Sequence, residues 1–165
     1  MASGSTDCQT VAVSSWLVTG GAGYIGAHVA RAFKTVGITP VVVDDLSSGR
    51  VGFVPPDVPF VQGDILDVDL PTGVLDEYGC AGVLHLAAFK YAGVSVKRPL
   101  HTYTQNVTGT VRVLDAMHRA GVNKLVFSSS AAVYGVPDGE LVTETSATHP
   151  ESPYGESKLI GEWLI

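Results

Sequence analysis

Tyr154 and Lys158 stand four residues apart, so a helix would carry a phenol and an ammonium on one face. A phenol has an ordinary pKa of about 10, and each unit of depression needs about 1.4 kcal/mol of preferential stabilisation of the phenolate. A cation one helical turn away supplies part of that. The chemistry open to such a pair is removal of a proton from a hydroxyl near neutral pH. The pair alone is a weak signal, because chance produces it. Its weight comes from Ser128-Ser129-Ser130, which follow a strand-like run at 124–127 and offer hydroxyls that could orient the reacting group.

A second constellation says what that proton would accompany. Thr19-Gly20-Gly21-Ala22-Gly23-Tyr24-Ile25-Gly26 lies between an apolar run at 16–18 and a helical pattern beginning at 24. Glycines at 20, 23 and 26 fit one spacing of the phosphate-cradling turn, and those at 21, 23 and 26 fit another. Such a turn lets backbone amides approach a pyrophosphate, and the helix N-terminus adds partial positive charge. Strand before and helix after weigh against a glycine-rich turn without a ligand.

Asp44 and Asp45 end the next apolar run, where a carboxylate accepts hydrogen bonds from an adenosine ribose. Two carboxylates there would repel a 2′-phosphate, which favours NAD over NADP, although Arg50 leaves the second open. A turn-forming role is plausible for Asp45 and less so for Asp44. Asp64, after the run at 59–61, either faces the adenine or forms a turn. With a dinucleotide in place, Tyr154 would take a proton as hydride leaves, and an oxidised nicotinamide ring would further stabilise its phenolate. His85 ends another apolar run and reads as a buried, hydrogen-bonded residue. No second histidine or cysteine stands at ligand spacing, so a metal site is rejected. His101, His118 and His149 read as surface residues.

The elements that must position these groups follow from periodicity. Strands are expected at 16–18, 40–43, 59–61, 81–86 and 124–127, with helices at 24–36, 70–78 and 94–120 and a last one opening at Tyr154. Gly121 would stop the long helix, and 137–153 reads as loop. Continuously apolar strands alternating with helices imply a parallel sheet covered on both faces, the doubly wound α/β arrangement of Rossmann type. Residues 15–165 read as this single domain and 1–14 as a polar, loosely ordered lead-in.

Composition narrows the partners. With 45% hydrophobic and 16% charged residues in 165, the chain is globular. A net charge of −6 argues against nucleic acid or an anionic membrane surface. Two cysteines, Cys8 and Cys80, suit free thiols in a reducing compartment. The first residues lack the features of a secretion signal, and no apolar run has the length of a membrane span, so the expected location is the cytoplasm. The chain stops within a helical pattern, at Leu159-Ile160-Gly161-Glu162-Trp163-Leu164-Ile165, and this reads as a piece of a longer protein.

These residues, in this order, resemble the extended short-chain dehydrogenase/reductase family, and within it the UDP-hexose 4-epimerases. The resemblance runs from Leu17 to Ile165 and rests on 18–26, Gly63-Asp64-Ile65, His85-Leu86-Ala87-Ala88 with Lys90, and 106–110. It continues through Phe127-Ser128-Ser129-Ser130-Ala131-Ala132-Val133-Tyr134-Gly135 and Ser152-Pro153-Tyr154-Gly155-Glu156-Ser157-Lys158. It implies that Tyr154 is the catalytic base, that Lys158 binds the nicotinamide ribose and lowers the tyrosine pKa, and that Ser130 holds the sugar hydroxyl. It also implies a cofactor site made of Gly20, Gly23, Tyr24, Ile25, Gly26, Asp44, Asp45, Asp64, Ile65, Leu86, Ala87, Ala88, Lys90, Asn106 and Ser128, with Tyr154 and Lys158.

In such enzymes NAD takes hydride from C4 of the hexose and returns it to the other face. The helices containing Val107 to Leu114 and Tyr154 to Trp163 would form a homodimer interface, and the half that grips the UDP-sugar would lie beyond Ile165. There are departures: Ala87-Ala88-Phe89-Lys90 stands where the pattern has Ala-Gly-Leu-Lys, Asp45 where it has asparagine, and Thr102 where it has tyrosine. Another sugar-nucleotide epimerase, dehydratase or decarboxylase, or a dinucleotide-binding module without turnover, therefore stays open.

Overall fold

The computed structural model describes residues 14–137, 139 and 141–165. Cys8 and, apart from Ser14, the expected lead-in lie outside these residues. Five parallel strands form one sheet in the order β3-β2-β1-β4-β5. They are β1 (Ser15–Thr19), β2 (Thr39–Asp44), β3 (Phe60–Gln62), β4 (Cys80–His85) and β5 (Leu125–Phe127). Helices α1 (Tyr24–Thr35) and α2 (Asp69–Glu77) follow the expected periodicity.

The strands are apolar on both faces because both faces are covered. Leu17, Val41, Val43 and Val83 point to one side and pack with Val74 and Leu75 of α2 and with Val113 and Met117. Val18, Val42 and Leu84 alternate to the other side and meet Ala30 of α1 with Val54 and Val58. The period of two along each strand thus divides one apolar run between two cores. From β1 the chain steps outward through β2 to β3, then returns to β4 and β5 on the opposite side. Thr19 stands level with both Val43 and His85, so β1, β2 and β4 finish together. A crevice opens at such a reversal point, outside the carboxyl ends of the strands.

The helix expected over 94–120 is broken once, before Pro99, and from there runs without interruption to Arg119 through a π-helical stretch. Its parts are α3 (Ala92–Ser95), α4 (Pro99–Tyr103), a π-helical segment Thr104–Thr108, and α5 (Gly109–Arg119). Pro99 is the cause of the break. It lacks an N–H and pushes the residue before it out of helical space, and Arg98 has φ −134° and ψ 55°. The final helix α6 (Pro153–Leu164) begins as expected, with Ser152 Oγ accepting from the Gly155 amide at 3.2 Å and Pro153 in the first turn. Among the described residues no helix is long and apolar enough to cross a membrane.

Candidate functional site

The crevice is a cleft of about 550 Å³. One wall is the glycine turn. Gly20 has φ +71°, and a Cβ on it would lie 2.7 Å from the Ala87 amide nitrogen, so only glycine serves there. A Cβ on Gly26 would run into the Gly20 carbonyl and stand 2.5 Å from Gly21 Cα. The turn is therefore packed backbone against backbone. Gly23 caps α1 with no side-chain hydrogen bond, and no acidic residue sits in the first turn, so its positive end is uncompensated there.

Asp44 closes one end of the cleft. Its Oδ2 accepts from the Ala22 amide at 3.0 Å and its Oδ1 from the Leu46 amide at 2.8 Å. Two amides thus fix a carboxylate beside the glycine turn while leaving lone pairs for a diol. Asp45 Oδ1 accepts from Ser47 and Asp64 Oδ1 from Leu66, so each also braces its own turn. Arg50 is not among the cleft-lining residues; its guanidinium lies 5.9 Å from the centre of the Phe53 ring.

The structure gathers Gly20, Gly23, Tyr24, Ile25, Gly26, Asp44, Asp45, Asp64, Ile65, Leu86, Ala87, Ala88, Lys90 and Ser128 around this one cleft. Asn106 is placed differently. It is buried, and its side-chain amide accepts from Phe89 N (2.7 Å) while donating to Phe89 O (3.1 Å) and Ser157 Oγ (2.8 Å). It clamps the cleft wall to α6 from behind, and its neighbour Gln105 lines the cleft instead. Phe89, Arg98 and His101 also line it; His101, expected at the surface, is half-buried with its ring 4.9 Å from that of Phe89. Nothing in the helical periodicity marked these residues.

Ser130, Tyr154 and Lys158 lie outside the lining of the cleft, in elements joined directly to it. Ser130 Oγ accepts from the Ala132 amide at 3.2 Å, which leaves its own proton to donate. The backbone of α6 abuts this turn: a Cβ on Gly155 would lie 2.6 Å from Ala132 O. Tyr154, next to that glycine, is tied through its amide to Ser95 Oγ at 3.1 Å. Lys158 is 4% exposed, and its ammonium donates to the carbonyl of cleft residue Ser128 at 2.7 Å, 4.9 Å from the Phe127 ring centre.

Burial pushes the Lys158 ammonium down from an ordinary 10.5 to about 8. Between those values the unfolded chain holds this proton and the folded one has released it, so stability rises with pH from about 8 upward. Cys80, pushed up to about 11 by burial, opposes this above its ordinary 9. Denaturant midpoints are therefore expected to rise across pH 8 to 9 and to stay level in Lys158→Met.

A cradle that only glycine fits, a fixed carboxylate at the second strand's end and an ammonium held on the carbonyl of cleft residue Ser128 suit a dinucleotide. Comparison with known proteins agrees. Residues 16–165 match the NAD dependent epimerase/dehydratase family. UDP-glucose 4-epimerase of Azospirillum brasilense is 44% identical over 95% of this chain and 45% of its own length. UDP-glucose 4-epimerase from Brucella ovis in complex with NAD superposes with a TM-score of 0.89 at 41% identity, over 92% of this chain and 46% of that one. The enzyme from Stenotrophomonas maltophila, with bound NAD and formylated UDP-arabinopyranose, gives 0.88 at 40% identity, over 92% and 47%. The chain thus spans about half the length of the relatives it matches, and it is homologous to their N-terminal, NAD-binding portion. From the cradle, the carboxylate and these matches together, the chain belongs to the NAD dependent epimerase/dehydratase family.

Proposed function

We propose that residues 15–165 form the cofactor-binding and catalytic half of a UDP-hexose 4-epimerase working in the cytoplasm. The observation that carries the reading is the fixed Asp44 carboxylate beside a glycine turn at the sheet's reversal point. The Gly23–Gly26 amides would hold the pyrophosphate, Asp44 the adenosine ribose, and Lys158 the nicotinamide ribose. NAD would supply the hydride acceptor and, on return, the donor. Tyr154 would remove the proton of the C4 hydroxyl, Ser130 would donate a hydrogen bond to the same oxygen, and the wall Leu86–Ala88 would exclude water from the ring. A UDP-sugar is the substrate class, on the chemistry of the Stenotrophomonas maltophila complex.

The test is a calorimetric titration of the chain with both dinucleotides. NAD is expected to bind at least tenfold more tightly than NADP, with the preference collapsing in Asp44→Ala. Equal or tighter NADP binding would remove Asp44 from its role and turn attention to Arg50.

Association as a homodimer fits the exposed apolar side chains of α5 and α6: Val111, Trp163 and Leu164 are all more than a third exposed. Sedimentation at rising concentration should show a monomer–dimer equilibrium, and a monomer throughout would exclude it.

A further inference from the structure

His85 is buried at the junction of β1, β4 and the start of α5, and none of the roles above uses it. Its Nδ1 lies 2.7 Å from Thr19 Oγ1 and its Nε2 lies 3.2 Å from Thr110 Oγ1. The neighbours decide where the ring proton sits. Thr110 has one hydroxyl proton and donates it to the Asn106 carbonyl at 2.7 Å, an oxygen that only accepts. Thr110 must therefore accept from the ring, which places the imidazole proton on Nε2. A neutral imidazole carries one N–H, so Nδ1 accepts and Thr19 donates to it. Thr19 Oγ1 in turn accepts from the Ala87 amide at 3.3 Å.

One direction runs through the whole series: Ala87 to Thr19, Thr19 to His85, His85 to Thr110, Thr110 to Asn106. It begins at an amide N–H and ends at a carbonyl, neither of which exchanges protons in catalysis, so the series cannot serve as a proton relay. Protonating Nδ1 would set two donors against each other at Thr19. Burial and the Lys158 ammonium oppose it as well, pushing the imidazole down to about 3.

The two ends of the series are the two halves of the site. Ala87 lines the cleft, touching the glycine turn. Asn106 clamps the Phe89 backbone and holds Ser157 Oγ, and that hydroxyl donates to the Tyr154 carbonyl at 2.7 Å. We propose that His85, as the neutral Nε2–H tautomer, is a positioning residue that keeps the cofactor wall in register with the helix carrying Tyr154 and Lys158. The inference rests on the functional reading above for what is positioned, but not for the geometry.

Long-range ¹H–¹⁵N spectra of the chain test the tautomer, and the Lys158 titration, followed at its ¹³Cε, tests the register. The expected spectrum is the Nε2–H pattern, unchanged down to mildly acidic pH. In Thr110→Val the series breaks, α6 loosens, and the Lys158 midpoint should move from about 8 toward 10.5. In Thr110→Ser, which restores the hydroxyl, it should return to about 8. An Nδ1–H or titrating imidazole in the wild type would overturn the proposal. So would a Thr110→Val protein, folded by its dispersed spectrum, whose Lys158 titrates as in the wild type, and so would a Thr110→Ser protein that fails to restore it. If Thr110→Val does not fold, the wild-type spectrum and Thr110→Ser decide alone. None of these readings needs NAD, so a wild type that binds no NAD would refute the cofactor reading and leave this one standing.

Discussion

Replacing Tyr154 with phenylalanine is expected to lower epimerisation by about 10²–10⁴-fold, the usual contribution of a general acid–base group, while NAD affinity stays within a few-fold of the wild type. On the proposed function the phenol oxygen would take the C4 hydroxyl proton, whereas the ring edge would contribute little to holding the cofactor. The measurement is conversion of UDP-galactose to UDP-glucose by a protein in which this chain precedes the C-terminal half of the Azospirillum brasilense enzyme. Ser130→Ala should cost less, because water can take over part of its hydrogen bond. Activity in Tyr154→Phe close to that of the unmutated protein would remove the tyrosine from its role.

The second large effect is expected at Gly26. A methyl group there meets the Gly20 carbonyl and Gly21 Cα, both of them backbone atoms that cannot turn aside. Overpacking of this kind costs about 1–3 kcal/mol, and relief can come only by opening the turn that would hold the pyrophosphate. Gly26→Ala should therefore lose both stability and measurable NAD binding. Gly73 provides the contrast. It lies in α2 with nothing near its missing Cβ, so Gly73→Ala should gain about 0.5–1 kcal/mol from reduced backbone freedom. A Gly26→Ala protein that binds NAD normally would mean that the turn does not carry the cofactor.

The parts of the site set by local pattern could be read from the sequence. The glycine turn, Asp44 and the strand ends announce themselves because a strand, a sharp turn and a helix each restrict residue type, and buried His85 followed from its place after an apolar run. The interrupted segment over 92–119 could not be read so directly. Pro99 marks the break, yet the helix expected over 94–120 runs through it, because the apolar spacing on either side continues as though the helix were whole. The π segment then defeats periodicity altogether. Its wider turn shifts the register relative to the 3.6 pattern, and within it Gln105 faces the cleft while the Asn106 amide turns inward. Two adjacent carboxamides carry no sequence signal that separates them.

The place of β1 at the centre of the sheet has a consequence for synthesis. Its two partners arrive at very different times: β2 follows almost at once, whereas His85, level with Thr19, comes 66 residues later. At about 5–20 residues per second, the ribosome leaves the glycine turn without its opposite wall for roughly 3–13 seconds. Through that interval one edge of β1 stays unpaired and the cradle has no Ala87 to close against. The nascent chain is then open to wrong strand pairing, and NAD cannot rescue it, because a ligand stabilises only a state that can bind it. Cofactor capture in this architecture is thus a late event that seals the sheet after β4 has docked.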